Sequence, residues 1–83
     1  MKNYTIVGGA GFIGSNYSKF LLNRGNKVKV YDNFSSGSRS FFEKFLNHKL
    51  LEIIEGKAED TQKLINTLEG TDILIHLASN PDI

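Results

Sequence analysis

The sequence predicts an α/β domain built on a doubly wound parallel sheet, of which it supplies about four strands in the order 3-2-1-4. Three observations predict this fold. Short apolar segments alternate with segments of helical periodicity along the whole chain. A glycine-rich turn follows the first apolar segment. The four apolar segments end at Gly8, Asp32, Gly56 and Ala78, and parallel strands place such ends on one edge, where ligands bind.

The first half of the chain predicts a strand, a helix and a second strand. Residues 4–7 have the β-branched and aromatic content of a strand, and residues 27–32 alternate apolar and polar side chains. Between them, a helix begins near Gly11 or Phe12 and ends before Gly25. Its buried face is predicted from apolar residues at helical spacing, which are Ile13, Tyr17, Phe20 and Leu21. The opposite face carries the polar residues Ser15, Asn16, Lys19 and Asn23.

The second half predicts a short helix, a strand, a longer helix and a fourth strand. Residues 39–47 form the short helix, with core packing expected from Phe41, Phe42, Phe45 and Leu46. Residues 50–55 form the third strand, and Asp60 caps the next helix. That helix is expected to bury Leu64, Ile65 and Leu68. Residues 73–78 are nearly all apolar, as in a strand covered on both faces.

Composition excludes several classes of function. With 83 residues the chain forms one small domain at most, and its net charge of +1 gives no case for binding nucleic acid or an anionic membrane. The absence of cysteine excludes disulfides and thiolate metal sites. No His or carboxylate pair has metal-ligand spacing, and no apolar run approaches the ~20 residues of a membrane span. A cytoplasmic location is the default expectation.

The turn after the first strand has the character of a phosphate cradle. Gly8, Gly11 and Gly14 let the backbone approach a ligand, and the start of the following helix would point its free N–H groups at a pyrophosphate. The alternative is a tight turn that binds nothing. Asp32, 24 residues after Gly8, is placed to accept hydrogen bonds from an adenosine ribose, which favours NAD over NADP. Its alternative role is to start a turn, and Arg39 and Lys29 keep NADP open.

Four segments together, VGGAGFIGSN, YDNFSSG, EGKAED and HLAS, resemble the first part of an extended short-chain dehydrogenase/reductase. The most similar branch is the nucleotide-sugar epimerase and dehydratase group. The resemblance implies a Rossmann domain over residues 1–83, the amino-terminal part of a longer enzyme. It also implies tightly bound NAD, which transiently oxidises a hydroxyl of a nucleotide-sugar substrate.

The resemblance assigns cofactor-binding residues by position. Those at the pyrophosphate loop are Gly8, Gly11, Phe12, Ile13 and Gly14. Those at and beside the adenosine ribose are Asp32, Asn33, Ser35, Ser36 and Gly37. Those near the linking phosphates and the nicotinamide-side ribose are Leu77, Ala78 and Ser79.

Two positions depart from the family pattern. Val7 stands where a threonine usually braces the loop. Lys57 stands where an aspartate usually accepts from the adenine amino group, and a lysine has no acceptor. Recognition of adenine is then expected from the backbone of Lys57 and Ala58, or it is weaker, and the alternative for Lys57 itself is a solvated lysine.

No residue of the chain is predicted to be catalytic. The family's Tyr-x-x-x-Lys pair is absent, since Tyr4, Tyr17 and Tyr31 have no lysine four residues on. His76 is expected to pack in the core, and His48 to be solvated. The sequence therefore predicts the cofactor-binding portion of an enzyme, with a stand-alone dinucleotide- or ADP-binding module and an empty Rossmann fold as alternatives. The fourth strand, as a free edge, predicts self-association.

Overall fold

The computed structural model describes residues 1–8, 11–34 and 39–77. Its strands are β1 (Asn3–Val7), β2 (Lys27–Asp32), β3 (Leu51–Glu55) and β4 (Ile73–His76). Its helices are α1 (Phe12–Asn23), a 3₁₀ helix (Arg39–Phe45) and α2 (Thr61–Leu68). The strands are parallel and form one sheet in the order β3-β2-β1-β4. The predicted fold class and strand order are confirmed.

Most of the observed strands and helices begin or end one or two residues away from their predicted bounds. β2 has the predicted bounds, whereas β1 begins one residue earlier and β3 one residue later than predicted. The short helix is a 3₁₀ helix and ends at Phe45 instead of at residue 47. β4 ends at His76, and the predicted strand end at Ala78 lies outside the described residues.

The main core lies between the sheet and α1. Successive strand residues point to opposite faces, so Ile6, Val28 and Val30 share the face that α1 covers. Leu21 and Leu22 of α1 and Phe42 of the 3₁₀ helix complete this buried cluster. The core therefore fixes α1 against β1 and β2, and this sets where the helix begins relative to the strand ends.

The predicted buried stripe of α1 is wrong at three of its four positions. Ile13, Tyr17 and Phe20 are 70%, 43% and 52% exposed, and of the stripe only Leu21 is buried. The face that meets the sheet instead consists of small residues followed by two leucines, namely Gly14, Ser15, Ser18, Leu21 and Leu22. Small side chains let the helix axis approach the sheet closely, and the larger apolar residues are left on the outer face.

The two other helices are partly as predicted. In the 3₁₀ helix Phe42 is buried and Phe45 packs against the core, whereas Phe41 is exposed, as is Leu46, which follows the helix. In α2, Leu64 and Leu68 were predicted to be buried, and both are only half-buried. Ile65 is exposed, and the buried residue of this helix is Thr67.

β4 forms one edge of the described sheet, as predicted for the fourth strand. Its faces are unequal, because Ile73 and Ile75 are half-buried while Leu74 and His76 are exposed. The expectation that both faces are covered is therefore wrong within the described residues. The expectation of a core histidine at His76 fails for the same reason.

Candidate functional site

The carboxyl ends of the strands lie side by side, and hydrogen bonds continue the sheet beyond the strands themselves. The Gly8 N–H donates to the Tyr31 carbonyl at 2.7 Å, and the Gly56 N–H donates to the Asp32 carbonyl at 2.9 Å. On the other side of β1, the Leu77 N–H donates to the Val7 carbonyl at 2.8 Å. The predicted convergence on one edge is confirmed for Gly8, Asp32 and Gly56, while Ala78 lies outside the described residues.

α1 begins at this edge with backbone N–H groups that no side chain of the described residues caps. Gly11 is the N-cap residue, with no side-chain hydrogen bond, and the first turn contains no acidic residue. The first helical bond runs from the Ser15 N–H to the Gly11 carbonyl at 2.9 Å. The preceding N–H groups of the first turn, from Phe12 to Gly14, have no partner inside the helix and point toward its N-terminal end. Such an end favours an anion by hydrogen bonding and by the helix dipole.

Gly11 is a glycine that the described fold does not itself require. Its backbone is extended, with φ −78° and ψ −176°, a conformation open to any residue. A Cβ built at Gly11 meets no heavy atom of the described residues within 4 Å. By contrast, Gly8 has φ 79° and Gly25 has φ 81°, so the backbone itself favours glycine there. The space in front of Gly11 is open to a ligand that a side chain would displace.

Asp32 starts a turn at the end of β2. Its Oδ1 accepts a hydrogen bond from the Phe34 N–H at 2.7 Å, and Phe34 has a positive φ of 58°. Asp32 therefore does start a turn, as the alternative interpretation of this aspartate predicted. A carboxylate has about four lone-pair positions on two oxygens, so this bond does not prevent acceptance from a ribose hydroxyl. Asn33, next to it, is exposed at the same edge.

Gly56 is required by a neighbouring side chain of the protein. A Cβ at Gly56 would lie 2.4 Å from the Tyr31 hydroxyl oxygen and 2.5 Å from the Cζ atom of its ring. The Tyr31 hydroxyl passes this glycine and donates to the Lys57 carbonyl at 2.7 Å. That carbonyl also accepts from the Asp60 N–H at 3.1 Å. Of the backbone groups expected to recognise adenine, the Lys57 carbonyl is thus already bonded twice.

Tyr31 is the site residue that sequence reasoning missed. It is 1% exposed, and burial raises the pKa of its hydroxyl, with the Asp60 and Glu59 carboxylates adding to the rise. The hydroxyl is therefore held protonated, as a hydrogen-bond donor. The sequence offered one signal for this role: Tyr31 is an aromatic residue directly before Asp32 on β2, and the neighbouring strand β3 is followed by a glycine, Gly56.

Some of the remaining predicted site residues are among those that the structure describes, and others are not. Gly14 is buried, whereas the side chains of Phe12, Ile13, Lys57 and Ala58 are exposed. Leu77 is half-buried and packs against the core. Several predicted site residues lie outside the described residues: Ser35, Ser36, Gly37, Ala78 and Ser79.

Lys29, which left NADP open as an alternative cofactor, is bonded to α2. Its Nζ donates to the Thr67 and Glu69 carbonyls at the carboxyl end of α2, at 3.0 and 3.1 Å. A cation bonded to helix C-terminal carbonyls is a stabilising arrangement, and it gives this lysine a structural role. The side chain of Arg39 lies outside the described part of the chain.

The two histidines form no catalytic or metal constellation in the described residues. His48 is half-buried, and its Nδ1 accepts from the Leu50 N–H at 3.1 Å, so the expectation of a solvated side chain is wrong. Across residues 1–8, 11–34 and 39–77, no group of three or more His, Asp or Glu could hold a metal ion. None of the helices in these ranges is long and apolar enough to span a membrane.

The model of the 3-beta hydroxysteroid dehydrogenase/isomerase family matches residues 5–83. The chain belongs to this family. Among the curated proteins similar to this chain, UDP-glucuronic acid decarboxylase 1 of Danio rerio is 40% identical over 78 residues, covering 94% of this chain and 18% of that protein.

Solved structures give the same result for the fold. UDP-glucose 4-epimerase from Brucella ovis, in complex with NAD, has a TM-score of 0.81 at 35% identity, covering 96% of this chain and 23% of that one. The Bordetella bronchiseptica enzyme WbmH, in complex with NAD⁺, has a TM-score of 0.86 at 34% identity, covering 99% and 27%. The predicted resemblance to the epimerase and dehydratase group is confirmed. The chain spans about a quarter or less of the length of these proteins.

Proposed function

We propose that this chain is the NAD-binding portion of an enzyme that transforms a nucleotide sugar, and that it binds the ADP and pyrophosphate part of the cofactor. The observation that carries the proposal is the start of α1. Its N–H groups have no side-chain cap, and the adjacent Gly11 has open space where a Cβ would be. A pyrophosphate supplies the acceptors and the negative charge that this helix end lacks.

The described residues fit the ADP half of the cofactor. The phosphates would lie against the N–H groups of the first turn of α1, between the ends of β1 and β2. Asp32, at the end of β2, would accept from the hydroxyls of the adenosine ribose, and its charge would repel a 2′-phosphate. The engagement of Lys29 with α2 removes one cation that could have favoured that phosphate. Both arguments support NAD over NADP.

The nucleotide-sugar assignment rests on the relatives. Two of the similar proteins are named for UDP-sugars, as a UDP-glucuronic acid decarboxylase and a UDP-glucose 4-epimerase. The family name describes steroid chemistry, so a steroid substrate is the second candidate for the whole enzyme. We place the catalytic groups and the substrate contacts outside these 83 residues, which contain no Tyr-x-x-x-Lys pair. A stand-alone module that binds the dinucleotide without catalysis is the alternative.

Calorimetry of the 83-residue chain with ADP, NAD and NADP tests the proposal. We expect saturable heat with ADP and with NAD, and weaker binding of NADP because of Asp32. Because the described residues fit the ADP half of the cofactor, ADP should retain most of the affinity of NAD. The absence of heat with all three ligands would contradict the proposal.

A pair of glycine substitutions separates binding from stability. Gly11→Ser places a side chain in the open space and an internal cap on the helix, so we expect ADP affinity to fall about tenfold, the size of a lost charged hydrogen bond. The melting temperature should not fall, since serine is a favourable N-cap residue. Gly25→Ala is the matched control: its positive φ makes it destabilising, and it should leave ADP affinity unchanged.

We further propose that β4 pairs with a second copy of the chain. β4 is an edge of the described sheet, and Leu74 at its centre is exposed, a combination that templates strand pairing. Sedimentation over a range of concentrations tests this, with a concentration-dependent dimer as the expected result. A strictly monomeric profile at high concentration would contradict it.

A further inference from the structure

Tyr31 links the ends of two strands at the candidate site. It occupies the position before Asp32 on β2, and its ring fills the space that Gly56 leaves open beyond β3. Its hydroxyl then reaches the Lys57 carbonyl at 2.7 Å. With the Gly56 N–H bonded to the Asp32 carbonyl at 2.9 Å, two bonds join these segments. The first residues after β3 are therefore held in place from β2.

The path of a bound nucleotide leads from the start of α1 toward this turn. α1 follows β1, Asp32 ends β2, and the next strand outward in the sheet is β3. A nucleotide with its phosphates at α1 and its ribose at Asp32 therefore extends its base over the end of β3. The backbone that meets the base there is that of Lys57 and Ala58.

The turn offers the base a restricted set of hydrogen-bonding groups. The Lys57 carbonyl already accepts from the Tyr31 hydroxyl and the Asp60 N–H, which occupies its two lone pairs. The Lys57 side chain is a donor without acceptor capacity. Within the described residues, the N–H groups of Lys57 and Ala58 have no hydrogen-bond partner. These donors suit the ring nitrogens of a purine, which are acceptors.

We infer that Tyr31 is a positioning residue for recognition of the purine base, acting through the Lys57–Ala58 backbone that its hydroxyl and ring hold. The inference rests on the proposed function, because it assumes that the phosphates and ribose bind as described above. It goes beyond that function by naming the residue that sets base selectivity. Tyr31 touches the turn and not the reacting atoms, so its effect appears in which base binds.

Titration of the wild type and Tyr31→Phe with ADP and with CDP tests the inference. Both ligands carry a diphosphate and a ribose, but only ADP has a purine that reaches the turn. Tyr31→Phe keeps the ring and removes the hydroxyl, so we expect ADP to bind about three- to tenfold more weakly, the size of one lost hydrogen bond. CDP should bind as it does to the wild type, and the ratio of the two affinities is the decisive quantity.

Two further variants complete the experiment. Tyr17→Phe removes a hydroxyl from the outer face of α1, where Tyr17 is 43% exposed, and should change neither affinity. Gly56→Ala places a methyl group against the Tyr31 ring and displaces it. This variant should therefore lower the affinity for ADP relative to CDP, as Tyr31→Phe does.

Three results would overturn the inference. Unchanged affinities for both nucleotides in Tyr31→Phe would show that the hydroxyl does not govern base selectivity. An equal loss for ADP and CDP would show a general structural role. If the wild type binds neither nucleotide, the proposed function fails and the inference falls with it, a result distinct from the first two.

Discussion

The two α-helices of this domain are stabilised in opposite ways. α1 buries Leu21 and Leu22 in the core but has no side-chain cap at Gly11. α2 has Thr67 as its buried residue, and it is bonded at both ends. At its start, the Asp60 Oδ1 accepts from the Lys63 N–H at 3.2 Å, and at its end the Lys29 Nζ binds two carbonyls.

The difference explains how α1 can keep its start open to a ligand. A helix fixed by packing does not need its terminal N–H groups for stability, since burial of two leucines outweighs a cap of about 1 kcal/mol. A helix with little buried apolar surface does need its ends. Function is thus expected at the start of α1 and not at the start of α2.

The largest effect should come from the packed face of α1. Leu22→Ala removes a side chain that is 3% exposed and should lower the free energy of unfolding by about 2–5 kcal/mol. Phe20→Ala, on the outer face of the same helix, should cost less than about 1 kcal/mol. Urea unfolding of both variants measures the difference. Equal losses would contradict the assignment of the two faces.

Closing the open end of α1 should come next. Gly11→Asp caps the helix and places a negative charge where the phosphates would bind, so ADP affinity should fall at least about tenfold by charge repulsion. The free energy of unfolding should rise by about a few tenths of a kcal/mol, because Asp is a favourable N-cap. Calorimetry and urea unfolding of one preparation give both quantities. Undiminished ADP affinity would exclude the helix start as the anion site.

Removing the cap of α2 should have the reverse pattern. Asp60→Ala should lower the free energy of unfolding by about 1 kcal/mol, since the Lys63 N–H loses its acceptor. ADP affinity should stay within about twofold of wild type, because this helix start is not part of the phosphate site. A fall in ADP affinity well beyond twofold would contradict the assignment of the phosphate site to the start of α1 alone.

The smallest effect concerns Asp72, which begins the approach to β4 after α2. The Asn3 N–H donates to its Oδ2 at 2.8 Å and lowers the pKa of this carboxyl below its ordinary value of 3.8. Burial acts in the opposite direction, whereas the Asn3 side chain, Lys2 and the N-terminus lower this pKa further. The depressed pKa contributes stability above the ordinary value, and this is lost as the pH falls through the folded-state pKa. Melting temperatures should therefore fall less steeply below pH about 4 in Asp72→Asn than in wild type. Identical slopes would contradict the role of Asp72.

The sequence predicted the sheet well because its signals are local. β-branched strands, glycine at helix ends and an aspartate cap each act within a few residues, and they agree with one topology. The buried face of α1 was not predictable in this way. Ser15 and Ser18 are buried because their hydroxyls donate to the Phe12 and Gly14 carbonyls at 2.9 and 2.8 Å, which removes the cost of burying them. Periodicity of apolar residues cannot reveal polar groups that bond to their own helix.

The candidate site was predictable where it depends on position along the chain. Gly8 and Asp32 follow from strand ends and spacing, and the structure brings them to one edge. The role of Tyr31 depends on its contact with the turn after β3, since its hydroxyl bonds to Lys57, 26 residues further along the chain. The requirement for glycine at position 56 could therefore not be predicted either, since only the fold places the Tyr31 ring against it.

Backbone amide chemical shifts during an ADP titration report directly on whether the start of α1 binds phosphate. We expect saturable shifts of the N–H signals of residues 12–14, at the open start of α1, with those of residues 61–63 nearly unchanged. Shifts at both helix starts, or at neither, would contradict the claim that the start of α1 is a phosphate site.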